Sequence, residues 1–188
     1  MCIGLSAHIP SFGSGGLGHL AIQYANKMGC EVTVFSSTPA KKEEAMKLGA
    51  HNFVATKETP DLTKAGIKPI NPLIVTTSHL PDWKQYLPIL TPYATVIPLT
   101  VDSSDFAIPN MSLIGNELRV VGSLVSDRQT HRDMLEFTAR HGIKPMIEKL
   151  PLTAENINKA MERLEKGDVR YRFVFVNEKN LSKTNGQA

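Results

Sequence analysis

A glycine-rich stretch near the start of the chain has the composition of a phosphate-binding loop. The sequence SFGSGGLGHL (11–20) places Gly13, Gly15 and Gly18 in the spacing G-x-G-x-x-G, directly before a segment of helical periodicity. In such a motif the glycines permit a tight turn, a close approach of pyrophosphate and close helix–strand packing. The N–H groups and the positive end of the following helix then hold the phosphates. The stretch predicts a dinucleotide site, and a structural glycine turn is the alternative.

The residues about twenty positions further on indicate which dinucleotide is bound. An NAD-binding unit usually carries Asp or Glu there, to hold the ribose 2′-hydroxyl. This chain instead has SSTPAKK (36–42), with three hydroxyls, two ammonium groups and no carboxylate. These groups suit charge-assisted hydrogen bonds to a 2′-phosphate. We therefore predict NADP(H) rather than NAD(H); the alternative is a helix cap at Thr38 with lysines facing solvent.

Metal-binding and nucleophilic patterns are not recognisable in the sequence. Its only cysteines are Cys2 and Cys30, and its histidines form no i, i+4 pair. His19 belongs to the glycine-rich pattern and is expected to be structural. The other histidines are expected on the surface or in loops: His8, His51, His79, His131 and His141. We predict no metal site, no Ser–His–Asp arrangement and no catalytic residue within this sequence.

Composition is that of an ordinary globular protein. The 188 residues are 41% hydrophobic and 21% charged, with a net charge of +3. The basic residues are scattered among acidic ones, so nucleic acid and membrane surfaces are not expected partners. No apolar run approaches about 18 residues, and the first ten residues lack a secretory pattern. We expect a cytoplasmic protein.

Strands and helices alternate along the chain. An apolar helical face follows the glycines, formed by Leu17, Leu20, Ala21, Tyr24, Ala25 and Met28. The predicted strands are 31–35, 52–55, 73–77, 94–99 and 118–124. A strand is also expected before the glycines, although Pro10 and Ser11 make 8–12 a poor one. A second helix should start after Thr38, and Pro88 should shorten a third. This alternation predicts an α/β fold, a doubly wound parallel sheet.

Three segments carry a resemblance to a known family. GSGGLGHLAIQYANKMG, EVTVFSSTPAKKEEAMKLGA and KGDVRYRFVFVNE occur in the order found in zinc-containing medium-chain alcohol dehydrogenases. The cinnamyl-alcohol dehydrogenase-like, NADP-dependent group is the most similar. The resemblance implies a Rossmann domain and hydride transfer between NADP(H) and a primary alcohol or aldehyde. The cofactor-binding residues it implies are Gly13, Ser14, Gly15, Gly16, Leu17, Gly18, Ser36, Ser37, Thr38, Lys41, either Thr76 or Thr77, and Ser123, Leu124 and Val125.

Departures from the family concern the reacting end of the cofactor. In the family, a catalytic domain ahead of this region binds zinc, which polarises the substrate oxygen. That domain is missing from this sequence. Cys2–Ser6 resembles a remnant of the stretch that supplies the last zinc ligand, but it lies too close to the glycines. Pro98 stands where the family commonly has glycine beside the nicotinamide, which adds bulk and removes a donor.

The resemblance also sets the expected domain organisation. Residues 1–127 would form the dinucleotide-binding domain, 128–178 a remnant of the catalytic domain, and 179–188 a disordered tail. Without its packing partner, the segment 128–178 should expose an apolar helix face, so we expect a homodimer or a missing catalytic half. Two functions remain open: an NADP(H)-dependent alcohol dehydrogenase or aldehyde reductase, and a non-catalytic NADP(H)-binding module. A zinc-free reductase is a weaker third.

Overall fold

A six-stranded parallel sheet forms the centre of the molecule. The structure, a computed structural model, describes residues 2–6 and 15–177. The sheet has the strand order β3-β2-β1-β4-β5-β6, and all neighbouring strands are parallel. Its strands are β1 (Cys2–Ser6), β2 (Glu31–Ser36), β3 (Asn52–Ala55), β4 (Leu73–Val75), β5 (Thr95–Pro98) and β6 (Arg119–Val120). This order is that of a doubly wound Rossmann sheet, so the predicted fold class is confirmed.

The remaining elements connect these strands or follow them. The helices are α1 (Gly15–Lys27), α2 (Lys42–Lys47), α3 (Trp83–Tyr86), α4 (Asn110–Gly115), α5 (Arg128–His141) and α6 (Ala154–Glu165). Short 3-10 turns lie at Pro39–Lys41, Leu62–Lys64 and Leu87–Ile89. A separate two-stranded parallel sheet is formed by β7 (Glu148–Pro151) and β8 (Phe173–Val176), which α6 connects. In the described residues, no helix combines the length and apolar character needed to cross a bilayer.

Alternate residues of the central strands are buried on opposite faces of the sheet. On β2, Val32 and Val34 belong to a cluster with Ile22 of α1, whereas Phe35 belongs to a cluster around Trp83 and Tyr86. Both clusters are almost fully excluded from solvent. Burial on both faces is the arrangement expected for a parallel sheet that is covered on each side.

The first strand lies earlier in the chain than the sequence predicted. Cys2–Ser6 pairs with both β2 and β4 and therefore occupies the middle of the sheet. The interpretation of this stretch as the remnant of a zinc-ligand segment is thus replaced by a strand of the Rossmann sheet. Residues 8–12, where the strand was expected, lie outside the described residues. Cys2, Gly4 and Ser6 are small or polar, so the five residues lack a strand's usual sequence signal.

Helix α1 presents a different face to the sheet from the one predicted. Gly18, Ile22 and Ala25 are buried, whereas Leu17 and Met28 are exposed. The two outer apolar positions were therefore assigned wrongly. Small residues on the buried face let the helix axis approach the strands closely, which the periodicity of larger apolar residues does not reveal.

One helix signal was only partly right, and a second was confirmed. Thr38 precedes the turn Pro39–Lys41 in extended conformation, as expected, but its side chain makes no capping hydrogen bond. The third helix is short: α3 ends at Tyr86 and a 3-10 turn containing Pro88 follows it. This confirms the predicted effect of the proline, whose missing N–H removes a helical hydrogen bond.

An ion-pair cluster holds together α6 and the two-stranded sheet of β7 and β8, which we call the β7–β8 unit. This unit leaves apolar side chains uncovered. Arg163 on α6 lies 2.9 Å from Glu148 Oε2 and 2.9 Å from Asp168 Oδ2. Ile157, Met161 and Leu164 on the same helix are exposed, whereas Ala160 is buried. The expected exposed apolar surface is therefore present on α6.

Replacing Gly49 by alanine should destabilise the protein strongly. Gly49 has φ +109°, and an added Cβ would lie 2.8 Å from Asn26 Cγ. Asn26 also donates from Nδ2 to the Gly49 carbonyl at 3.0 Å, so it is not free to move away. Backbone strain and steric overlap together should lower the free energy of unfolding by about 2–4 kcal/mol. Chemical denaturation followed by circular dichroism measures this.

Gly115→Ala is the matched control for that measurement. Gly115 ends α4 with no atom within 4 Å of an added Cβ, so the free energy of unfolding should stay within about 0.5 kcal/mol. Equal stability of the two variants would show that Asn26 relaxes freely and would contradict the prediction.

Candidate cofactor site

A cleft lies at the carboxyl edge of the large sheet, where open α/β sheets bind their ligands. It has a volume of about 800 Å³ and separates the large sheet from the β7–β8 unit. One wall is formed by the start of α1 and by residues that follow β4 and β5. The other wall is formed by α6 and by residues 171–175. A smaller cavity of about 380 Å³ lies among residues that follow β3 and β4.

Three hydroxyl side chains follow β4 on the cleft wall. Thr76 and Thr77 are buried, and Thr77 Oγ1 donates to the His79 carbonyl and lies 3.1 Å from Thr100 Oγ1. Ser78 also lines the cleft, and in the described part of the chain its buried Oγ has no hydrogen-bond partner. An unpaired buried hydroxyl is unfavourable in the free protein, which favours a polar ligand beside this wall. The sequence analysis did not identify Ser78.

The end of β2 leads into the segment expected to bind a 2′-phosphate. Ser36 and Ser37 are buried, Thr38 is exposed and Lys41 is half-buried. A backbone hydrogen bond from the residue that follows β3 fixes this end of β2: Thr56 N donates to the Ser36 carbonyl at 2.7 Å. Burial holds the pKa of Lys41 below its usual value; Glu44 opposes this shift and Arg170 adds to it. Burial of a cation without a fully matched anion favours the binding of an anionic group here.

Residues just before β8 complete the cleft at the start of α1. Arg172 Nη2 lies 3.4 Å from the Gly16 carbonyl oxygen. A Cβ added to Gly16 would lie 3.5 Å from the Tyr171 carbonyl oxygen, so the two segments are close together. Tyr171 also stacks on His19, with ring centroids 4.9 Å apart. The sequence analysis missed both residues, and the run of cationic and aromatic residues in VRYRF was the available signal.

His19 is a structural residue, in agreement with the sequence-based expectation. It is 3% exposed, and its Nε2 accepts a hydrogen bond from Met146 N at 3.0 Å. With the stack on Tyr171, these contacts join α1 to the β7–β8 unit. His19 therefore fixes one wall of the cleft relative to the other.

The remaining predicted residues divide into four groups. Gly13 and Ser14 lie outside the described residues, whereas Gly15 begins α1 and Gly18 is buried within it. Gly16, Leu17, Thr76 and Thr77 line the cleft. Ser123, Leu124 and Val125 are exposed in the loop after β6 and do not line the cleft. The role of these three residues beside the nicotinamide therefore stays a prediction.

Within residues 2–6 and 15–177, no group of three or more His, Cys, Asp or Glu side chains is arranged to hold a metal ion. His79 lies nearest to such an arrangement, with Nδ1 at 3.5 Å from Asp102 Oδ2. That carboxylate also accepts backbone N–H groups from Ser104 and Leu80, which hold its pKa below the usual value. We assign no metal-binding role to the described residues.

Comparison with known proteins gives the family. The profile of the family described as zinc-binding dehydrogenase matches residues 16–140, which is more than half of the chain. The chain belongs to this family. The chain is 36% identical over 168 residues to cinnamyl alcohol dehydrogenase 7 from Oryza sativa subsp. japonica, covering 89% of this chain and 44% of the relative. It is 38% identical over 172 residues to a probable formaldehyde dehydrogenase from Bacillus subtilis, covering 92% of this chain and 48% of that protein.

Solved structures have the same fold. A cinnamyl alcohol dehydrogenase from Sorghum bicolor superposes with a TM-score of 0.79 at 34% identity, over 92% of this chain and 47% of that one. A cinnamyl alcohol dehydrogenase from Helicobacter pylori, solved in complex with NADP(H), superposes with a TM-score of 0.71 at 26% identity, over 92% and 46%. The chain spans about half the length of the curated relatives it matches.

Proposed function

We propose that this chain is the NADP(H)-binding unit of an alcohol dehydrogenase or aldehyde reductase, which transfers hydride between the nicotinamide and a primary alcohol or aldehyde. The observation that carries the proposal is the half-buried Lys41, whose pKa is lowered by burial, in the segment that begins with the buried Ser36 and Ser37. The segment that contains these residues lies where an NAD-binding unit would carry a carboxylate. Glu44, which lies nearby, is already bound by Arg170 and Tyr171.

In this proposal a dinucleotide extends from the cleft to the segment 36–41, which lies outside the cleft lining and contacts it through Lys41 and Tyr171. Residues 36–41 hold the 2′-phosphate, and the start of α1 holds the pyrophosphate with its free N–H groups. Thr76, Thr77 and Ser78 lie beyond β4, on the side of the switch point that receives the nicotinamide half in this fold. When bound, NADPH supplies the hydride, and the residues of this chain bind and orient it.

The partner of this unit is proposed from its exposed apolar surface. Ile157 on α6 is exposed outside the cleft lining, and so are Leu124 and Val125, whereas the exposed Met161 and Leu164 of α6 line the cleft. Single exposed apolar residues are ordinary, whereas larger exposed apolar patches mark contact surfaces. We infer that a second copy of the chain or a catalytic half covers this surface, in a cytoplasmic protein that contacts neither nucleic acid nor membrane.

Titration with the two reduced cofactors tests the proposed function. We expect NADPH to bind at least tenfold more tightly than NADH, since one charge-assisted contact to the 2′-phosphate is worth ~1.4 kcal/mol or more. Enhancement of nicotinamide fluorescence on binding measures both affinities. Equal affinity for both cofactors would show that residues 36–41 do not form a phosphate site.

A further inference from the structure

A short segment from the end of the chain lies over the proposed 2′-phosphate site. Arg170 pairs with Glu44 Oε2, and the Tyr171 hydroxyl donates to Glu44 Oε1. Glu44 is in α2, in the turn that follows Lys41, and it is 126 residues from Arg170 in sequence. The contact therefore brings a second cation to the side of α2 on which Lys41 is half-buried.

Tyr171 fixes the position of this segment relative to Lys41. The Lys41 ammonium lies 5.1 Å from the centroid of the Tyr171 ring, a cation–π distance. The same Tyr171 ring also stacks on His19, with the ring centroids 4.9 Å apart. With its hydroxyl bonded to Glu44 and its ring held by two neighbours, Tyr171 keeps Arg170 on the Lys41 side of the cleft.

The charges around Tyr171 do not balance. Lys41 and Arg170 contribute two positive charges, whereas Glu44 contributes one negative charge and has both oxygens occupied. Glu148 accepts from the Arg170 backbone N, but its charge is paired with Arg163. Arg170 also adds to the lowering of the Lys41 pKa, as expected for two neighbouring cations. The Arg170 side chain is 66% exposed, so several of its five N–H donors remain accessible to a ligand. The site therefore has an unmatched positive charge and free donors.

We propose that Arg170 is a second cation of the 2′-phosphate site, so that cofactor selection depends on the C-terminal segment as well as on residues 36–41. Glu44 orients the guanidinium with one edge, and the other edge receives the phosphate. A guanidinium suits this task because its planar donors match two phosphate oxygens at once. The inference rests on the proposed function, and it makes residues 170–171 part of the specificity for NADP(H).

The test compares Arg170→Gln with Arg170→Lys and with a matched control, Arg140→Gln. Arg140 is exposed near the end of α5, so its replacement removes the same charge elsewhere. Arg170→Gln should weaken NADPH and 2′,5′-ADP about tenfold while leaving NADH and ADP within about twofold. Arg170→Lys should recover part of the loss, and Arg140→Gln should change neither affinity. Thermal melts establish that each variant is folded.

Each other outcome has a distinct meaning. Equal weakening of NADPH and NADH by Arg170→Gln would overturn the proposal, since Arg170 would then hold the pyrophosphate or only the fold. An unchanged NADPH affinity would overturn it too, because the ion pair with Glu44 would be a surface contact only. If Arg170→Gln does not fold, the folded Arg170→Lys variant becomes the test. The proposal then requires that Arg170→Lys loses affinity for NADPH but not for NADH. Equal affinity of the unmodified chain for both cofactors would instead contradict the proposed function.

Discussion

A Ser36→Asp variant should bind NADPH at least about 100-fold more weakly than the unmodified protein, with little change for NADH. Ser36 is 4% exposed at the end of β2, so the new carboxylate cannot turn into solvent. Two unit charges about 4 Å apart interact by about 4 kcal/mol at an effective dielectric constant of 20, and the phosphate carries more than one charge. Even after partial relaxation, a loss of about 2.7 kcal/mol remains, which corresponds to 100-fold.

The NADH affinity separates repulsion from misfolding. NADH has a 2′-hydroxyl, which can donate to the new carboxylate as it does in NAD-binding Rossmann units. Asn116→Asp is the matched control: it adds the same charge beside β6, at the opposite edge of the sheet from β3 and β2. That variant should keep both affinities. A parallel loss of NADPH and NADH binding in Ser36→Asp would contradict the placement of the phosphate.

The predictions of fold and site were drawn from features that are local in sequence, and the cofactor-binding roles of the site residues stay a prediction. The glycine spacing, the absence of a carboxylate at 36–42 and the strand–helix alternation each depend on neighbouring residues. Their physical meaning is the same in any doubly wound sheet. The fold class was therefore confirmed by the strand order, and Gly16, Leu17, Thr76 and Thr77 lie on the wall of one cleft.

The parts that depend on distant contacts were not predictable in the same way. No local pattern shows that Tyr171 stacks on His19, or that Arg170 pairs with Glu44, because the fold alone brings these residues together. The position of β1 was missed for another reason. Three of its five residues, Cys2, Gly4 and Ser6, are small or polar, and the strand is recognised only from its pairing with β2 and β4.

The exposed apolar residues of α1 show a third reason why the sequence did not predict every feature of the fold. Leu17 and Met28 fit an apolar helical period, yet the helix turns Gly18, Ile22 and Ala25 towards the sheet. Periodicity gives a face to within a residue or two, and the packing distance then selects among the candidates. Leu17 is exposed because it faces the cleft, so its apolar character serves the ligand side of α1 and not the core.

A polypeptide of these 188 residues should bind NADPH but reduce aromatic aldehydes far more slowly than an ordinary enzyme. Hydride transfer to a carbonyl leaves negative charge on its oxygen, and a group that stabilises this charge lowers the barrier by several kcal/mol. Beyond β4 and β5, the cleft wall offers the neutral hydroxyls of Thr76, Thr77 and Ser78 and the apolar Leu99 and Val101. Arg172 also lines the cleft, but it lies at the start of α1, where the pyrophosphate is proposed to bind. Neutral hydroxyls stabilise an oxyanion less well than a cation or a metal.

The size of the expected deficit follows from that difference. Each ~1.4 kcal/mol of lost transition-state stabilisation slows the reaction tenfold, so several kcal/mol correspond to a rate lower by orders of magnitude. NADPH oxidation with cinnamaldehyde or benzaldehyde, with and without added Zn²⁺, measures the rate, and a parallel fluorescence titration establishes that cofactor is bound. A fast, zinc-dependent rate in this polypeptide alone would contradict the prediction, because it would require metal-binding and oxyanion-stabilising groups on this chain. Slow turnover with intact NADPH binding would instead locate the carbonyl-activating groups on a partner of the cleft.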